Sequence, residues 1–216
     1  MCLKVGKTRS GLVLVEMTPA EWQRLRRTGD DAPPAAQIQR VIGADLGWRD
    51  YRTSLALLDF TGNRPALLDT FQARTTPGDN DAWFARLGSV ANQVDAWLQT
   101  ALADGAPTGF AFEAVYLENN PATTIALATL GGLLAGLARS RGCPVARVYP
   151  VQARTALTGD SRAGKAAMQQ AANRLFGREV DQHIADAAGI ALHGEAMFRQ
   201  SRATGGGGEV LGDVAL

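Results

Sequence analysis

Apolar positions along the chain change rhythm several times, and each change marks an element. RVIGADLG (40–47) is a short apolar run closed by Asp45 and Gly47. SLALLDF (54–60) and PALLDTFQA (65–73) follow, with the turn signal Gly62-Asn63 between them. Short runs joined this closely predict three strands in an antiparallel meander. From Asp81 to Ala103 the spacing becomes helical: Trp83, Leu87, Val90, Val94, Trp97 and Leu98 recur on one face until Gly105 and Pro107 end it. GFAFEAV (109–115) predicts a fourth strand, with Glu113 in its middle, and CPVARVYP (143–150) a fifth. Helices are expected over 122–139, 150–157, 161–176 and 181–200. Strands that begin as a meander and then alternate with helices predict an α/β fold. It should be a five-stranded mixed sheet, its first three strands antiparallel, flanked by helices on both faces.

The ends of the chain read differently. GLVLVEM (11–17) predicts a strand, and Thr18-Pro19-Ala20-Glu21 has the form of a capping box that opens a short helix. TGDDAPPAAQ (28–37) reads as a linker and TGGGGEVLGDVAL (204–216) as a mobile tail. The expected organisation is a basic N-terminal extension and linker over 1–36, a main domain over 37–200 and a flexible Gly-rich tail over 201–216. Residues 1–29 carry six basic and two acidic side chains, the pattern of either a solvated arm or a nucleic-acid contact.

Twenty residues between Glu118 and Arg139 carry no charge, about the length of a membrane span. Asn119, Asn120, Pro121 and three threonines occupy part of it, so a buried or dimer-forming helix is expected and no membrane partner. Gly131, Gly132 and Gly136 each cost roughly 1 kcal/mol in a helix relative to Ala, which suggests that another backbone comes close. Two cysteines, Cys2 and Cys143, among 216 residues exclude a disulfide framework and fit a reducing cytoplasm. With 22 basic and 21 acidic residues, global charge identifies no partner. Local charge does: 139–178 holds eight basic residues and one acid, Asp160, an electropositive face suited to nucleic acid.

The candidate chemistry lies in acids that interrupt apolar runs. Asp45 and Glu113 sit in strands, and Asp186 lies among alanines in HIADAAGIA. Burying a carboxylate is costly unless it is paired or bound to a cation. A shared divalent ion would answer all three. His183, one turn before Asp186, shares its helix face. An oxygen-rich set with one imidazole suits Mg²⁺ or Mn²⁺ better than zinc, and two such ions are the usual device for phosphodiester cleavage.

These segments resemble the RuvC-type Holliday junction resolvases of the ribonuclease H-like superfamily, over about three quarters of the chain. IGADLGWRDYRTSLALLD resembles the family's first hairpin, and AFEAVYLENNPATTIALATLGGLLAGLA its Glu strand and dimer-interface helix. VYPVQARTALTGDSRAGKAAMQQAANRLF resembles its DNA-contacting segment and HIADAAGIALHG its terminal helix. The resemblance implies metal-binding and catalytic roles for Asp45, Glu113, His183 and Asp186, with His183 where many relatives have Asp. It implies base stacking by Tyr116 and DNA contacts by Arg154 and Lys165, with Arg162 in the same segment and Asn120 as a weaker match. It also implies a homodimer with two Mg²⁺ per site, Mn²⁺ substituting, that nicks four-way junctions symmetrically and leaves 5′-phosphate and 3′-hydroxyl ends. The substrate is then branched DNA and no small molecule. Other readings are a nuclease of the same fold acting on flaps, hybrids or transposon ends, an actin-like kinase, for which the chain is short, and a non-catalytic junction-binding protein.

Overall fold

A computed structural model describes residues 2–8, 11–17, 37–48, 52–75, 83–115 and 120–203. Near the N-terminus, β1 (Cys2–Thr8) and β2 (Gly11–Met17) pair antiparallel, from Cys2 with Met17 to Thr8 with Gly11. The expected strand is β2. β1 was not anticipated, because Lys4, Gly6 and Lys7 break its apolar pattern. The expected capping box, short helix and linker, and the tail from 204, lie outside the described residues.

The main sheet is built from β3 (Arg40–Asp45), β4 (Arg52–Asp59), β5 (Ala66–Arg74), β6 (Thr108–Glu113) and β7 (Val145–Val148), in the order β5-β4-β3-β6-β7. β3, β4 and β5 form the expected antiparallel meander, and β6 and β7 join parallel to β3. The helices are α1 (Trp83–Ala101), α2 (Pro121–Ser140), α3 (Pro150–Thr158), α4 (Lys165–Phe176) and α5 (Gln182–Ala203). α4 starts four residues later than its sequence pattern suggests. Asp160 first closes a turn, accepting from Arg162 N through Oδ1 and from Ala163 N through its carbonyl.

The two-residue period of β3 sorts its side chains between two cores. Ile42 and Ala44 pack with Val94, Leu98, Leu130 and Leu134 under α1 and α2. Val41 packs with Ala187, Ile190 and Ala191 of α5. Gly43 shares the α5 face with Val41, and a Cβ there would fall 2.0 Å from the Ala187 carbonyl oxygen and 2.6 Å from Ala191 N. The missing side chain is what lets α5 lie directly on β3.

α2 is long and apolar enough to cross a membrane by length and composition. Yet Thr123, Ala126, Leu130, Gly131, Leu134 and Ala138 form a buried stripe along it, so it serves as a covering layer of the sheet. Among the described residues, the expected close backbone approach at its glycines is not found. A Cβ on Gly131 would meet the Phe112 and Leu46 side chains, and one on Gly132 or Gly136 would meet nothing within 4 Å.

Candidate metal centre

Asp45 and Glu113 end adjacent parallel strands. Ala44 pairs with Phe112, so the two acids occupy the next position in phase at the same edge of the sheet. Glu113 is the last residue of β6, not mid-strand as its apolar flanks suggested, and that position is what brings it beside Asp45. Both acids continue the α5 face, Asp45 after Val41 and Gly43, and Glu113 after Ala111.

α5 supplies the other half. It runs antiparallel to β3, with Ala187 over Gly43. One helical turn back, about 6 Å along the axis, stands His183. Two residues forward on β3, about 6.6 Å, stands Asp45. The two steps match, and His183 Nδ1 lies 2.9 Å from Asp45 Oδ2. Facing a carboxylate, Nδ1 carries the proton and donates, which leaves Nε2 as the lone-pair nitrogen. Asp45, His183 and Asp186 each offer a ligand atom within 4.8 Å of the others. The side chains of Asp45 and His183 are 13% and 25% exposed, enclosed yet reachable.

The electrostatics describe a site crowded with negative charge. Burial first, then the charges of Asp45 and Asp186 and a hydrogen bond with Asp45, push the Glu113 carboxyl up to about 8, with Arg154 pulling the other way. Burial and then Asp45 raise Asp186 to about 6, offset by Lys165, His183 and Gln182. The raised Glu113 and Asp186 carboxyls, gathered with Asp45 and His183, fit a divalent cation, whose charge would favour their ionised forms. Arg154 and Lys165 are thus within electrostatic reach of the cluster.

The remaining sequence candidates fall elsewhere. Tyr116 lies outside the described residues. Asn120 is the N-cap of α2, its Oδ1 accepting from Ala122 N and Thr123 N. Arg162 is exposed in the turn before α4. Asp181 was passed over in the sequence, although an Asp just ahead of an apolar helix is a cap signal. It caps α5 through Ile184 N and also reaches Gln72 and Arg52 of neighbouring strands.

Acids closing two adjacent parallel strands, met by a His/Asp turn from a helix laid across the sheet, form a candidate divalent-metal centre on a ribonuclease H-like fold. Residues 41–193 match the family model described as crossover junction endodeoxyribonuclease RuvC. The chain is 34% identical over 150 residues to the protein of that name from Frankia alni, covering 69% of this chain and 72% of the relative. It is 33% identical over 156 residues to that from Burkholderia multivorans, covering 71% and 81%. The structure of Thermus thermophilus RuvC superimposes with a TM-score of 0.58 at 24% identity, over 76% of this chain and 97% of the other. The same protein in complex with a Holliday junction substrate gives 0.61 at 22% identity, over 77% and 96%. The chain therefore belongs to the RuvC family of crossover junction endodeoxyribonucleases.

Proposed function

We propose that the protein is a homodimeric, cytoplasmic resolvase that cuts four-way DNA junctions by paired symmetric nicks, with Asp45, Glu113, His183 and Asp186 as its metal ligands and catalytic residues. The observation that carries this reading is the convergence of Asp45, His183 and Asp186 on one point at the sheet edge, with Glu113 joined to it through Asp45. Asp45, Glu113, His183 and Asp186 would hold two Mg²⁺ ions, with Mn²⁺ able to replace them, whose Lewis acidity would acidify the attacking water and offset charge on the departing 3′ oxygen.

The chain's own groups do the rest. His183 is oriented through Nδ1 by Asp45, so Nε2 is the atom that ligates or takes a proton. Arg154 and Lys165 hold the phosphates next to the scissile one, since each already acts on a member of the cluster. Arg162, exposed between them in sequence, extends that contact, Tyr116 stacks on a base at the junction centre, and Asn120, the N-cap of α2, contacts the DNA beside it.

The nuclease unit runs from 37 to 203, because α5 continues three residues beyond the expected boundary at 200, with 1–36 and 204–216 outside it. The outer face of α2 supports the dimer. Ile125 is 59% exposed, and Gly132 and Gly136 leave open space on the same side, a surface on which a second copy's helix can approach closely. The products test the reading. Opposed nicks with 5′-phosphate and 3′-hydroxyl ends are resealed by DNA ligase without end repair, and ends that need repair contradict it.

A further inference from the structure

A second positively charged feature lies on the β4–β5 side of the carboxylates, whereas Arg154 stands on the helix that follows β7, at the opposite edge of the sheet. Arg52 and Arg74 are direct cross-strand partners at the ends of β4 and β5. Like charges placed opposite each other in an antiparallel pair are destabilising, so their position asks for an explanation. Ser54 pairs with Asp45, and residues two apart on a strand share a face. Arg52 therefore lies on the carboxylate face, two positions beyond the Asp45–Ser54 pair, and Arg74 lies next to it. Strand rise and spacing put their backbones about 8 Å and about 12 Å from that of Asp45.

Both arginines are held in place. The Gln93 amide clasps the Arg74 backbone, Oε1 accepting from its N–H at 3.2 Å and Nε2 donating to its carbonyl at 3.0 Å. The Arg74 guanidinium donates to Gln72 Oε1 at 2.9 Å. Gln72 Nε2 donates in turn to Asp181 Oδ2 at 2.5 Å, and Arg52 reaches the same oxygen at 3.9 Å. Asp181 caps the helix that carries His183. A relay of side chains thus ties two arginines to the first turn of α5. Fixing long exposed side chains costs rotamer entropy, and surface charge contacts return little stability. Such pre-organisation is useful where a planar, bidentate donor must meet a phosphate.

We propose that Arg52 and Arg74 form a second phosphate clamp on the β4–β5 flank of the metal centre. It grips the DNA strand on the side of the scissile phosphate away from Arg154. The proposal rests on the nuclease reading and makes the site a channel with basic walls on both sides.

The test is junction affinity of the full chain, measured from 50 to 200 mM salt with Ca²⁺ in place of Mg²⁺, for wild type, Arg52→Gln, Arg74→Gln and the double variant. Each single change is expected to reduce the slope of log affinity against log salt by about one, and the double by about two. In Mg²⁺ the KM for junction rises while kcat changes little. Gln72→Leu breaks the relay without removing charge, so affinity falls with the slope unchanged. Arg199→Gln, at the far end of α5, leaves both as in wild type. Exposed Arg74→Gln serves alone if the double variant melts early. A double variant with wild-type affinity and slope overturns the clamp, and leaves the nuclease reading intact if wild type cleaves. A wild type that cleaves no DNA overturns the nuclease reading, while the slopes still judge the clamp.

Discussion

His183 and Asp45 are 138 positions apart in sequence and 2.9 Å apart in space. The contact exists because α5 lies close on β3, and α5 lies close because Gly43 has no side chain. Gly43→Ala should therefore harm fold and site together. Overpacking of this kind costs about 1–3 kcal/mol, sometimes more, and the backbone atoms in the way cannot rotate aside. The expected result is a fall in Tm of about 4–10 °C with cleavage lost ahead of global unfolding. Melting and cleavage curves on the same preparation check it.

Glu113 should trade stability for function. Its carboxyl is raised from 4.5 to about 8, so the folded, metal-free protein resists its ionisation at neutral pH. Glu113→Gln removes that penalty and, at once, the proposed metal ligand. Cleavage should fall by about 10²- to 10⁴-fold, while the metal-free Tm at pH 8 rises. A fall in both would show that the carboxylate stabilises the fold.

The same shifts set a pH dependence. A carboxyl with a folded pKa above its unfolded value binds its proton more tightly when folded. No penalty exists below the unfolded pKa, and stability is then lost as pH rises toward the folded pKa. For Asp186 the window runs from 3.8 to about 6 and for Glu113 from 4.5 to about 8. Metal-free protein should lose stability across that span, at up to about 1.4 kcal/mol per pH unit for each proton. Saturating Mg²⁺ should flatten the profile, because the bound cation favours the ionised forms. Denaturant melts from pH 4 to 9, with and without Mg²⁺, measure both.

Asn120 separates a cap from a DNA contact. Asn120→Ala should cost about 1 kcal/mol, whereas Asn120→Ser keeps the cap and should leave Tm nearly unchanged. If the side chain also touches DNA, both variants bind the junction more weakly. If only the Ala variant changes, Asn120 acts through α2.

Much of this arrangement was legible because buried charge is rare. Asp45, Glu113 and Asp186 stood out as acids in apolar runs, and the meander followed from alternation and the Gly62-Asn63 turn. What stayed hidden depended on partners distant in sequence. Gly43 reads as an ordinary strand glycine until Ala187 is placed against it. The Arg52–Arg74 pairing needs the β4–β5 register, and β1 needs β2, since its lysines mask the apolar pattern. Gly131, Gly132 and Gly136 pointed to a close backbone, but only Gly131 faces the core, against side chains.

The central claim is metal-dependent, junction-selective cutting at the Asp45 cluster. The most direct measurement is cleavage of an end-labelled four-way junction beside a linear duplex and a flap, with Mg²⁺, with Mn²⁺ and with chelator, for wild type and Asp45→Asn. The expected result is paired symmetric nicks on the junction alone, absent with chelator and in the variant. Equal cleavage of duplex or flap, or nicking by Asp45→Asn at the wild-type rate, would contradict it.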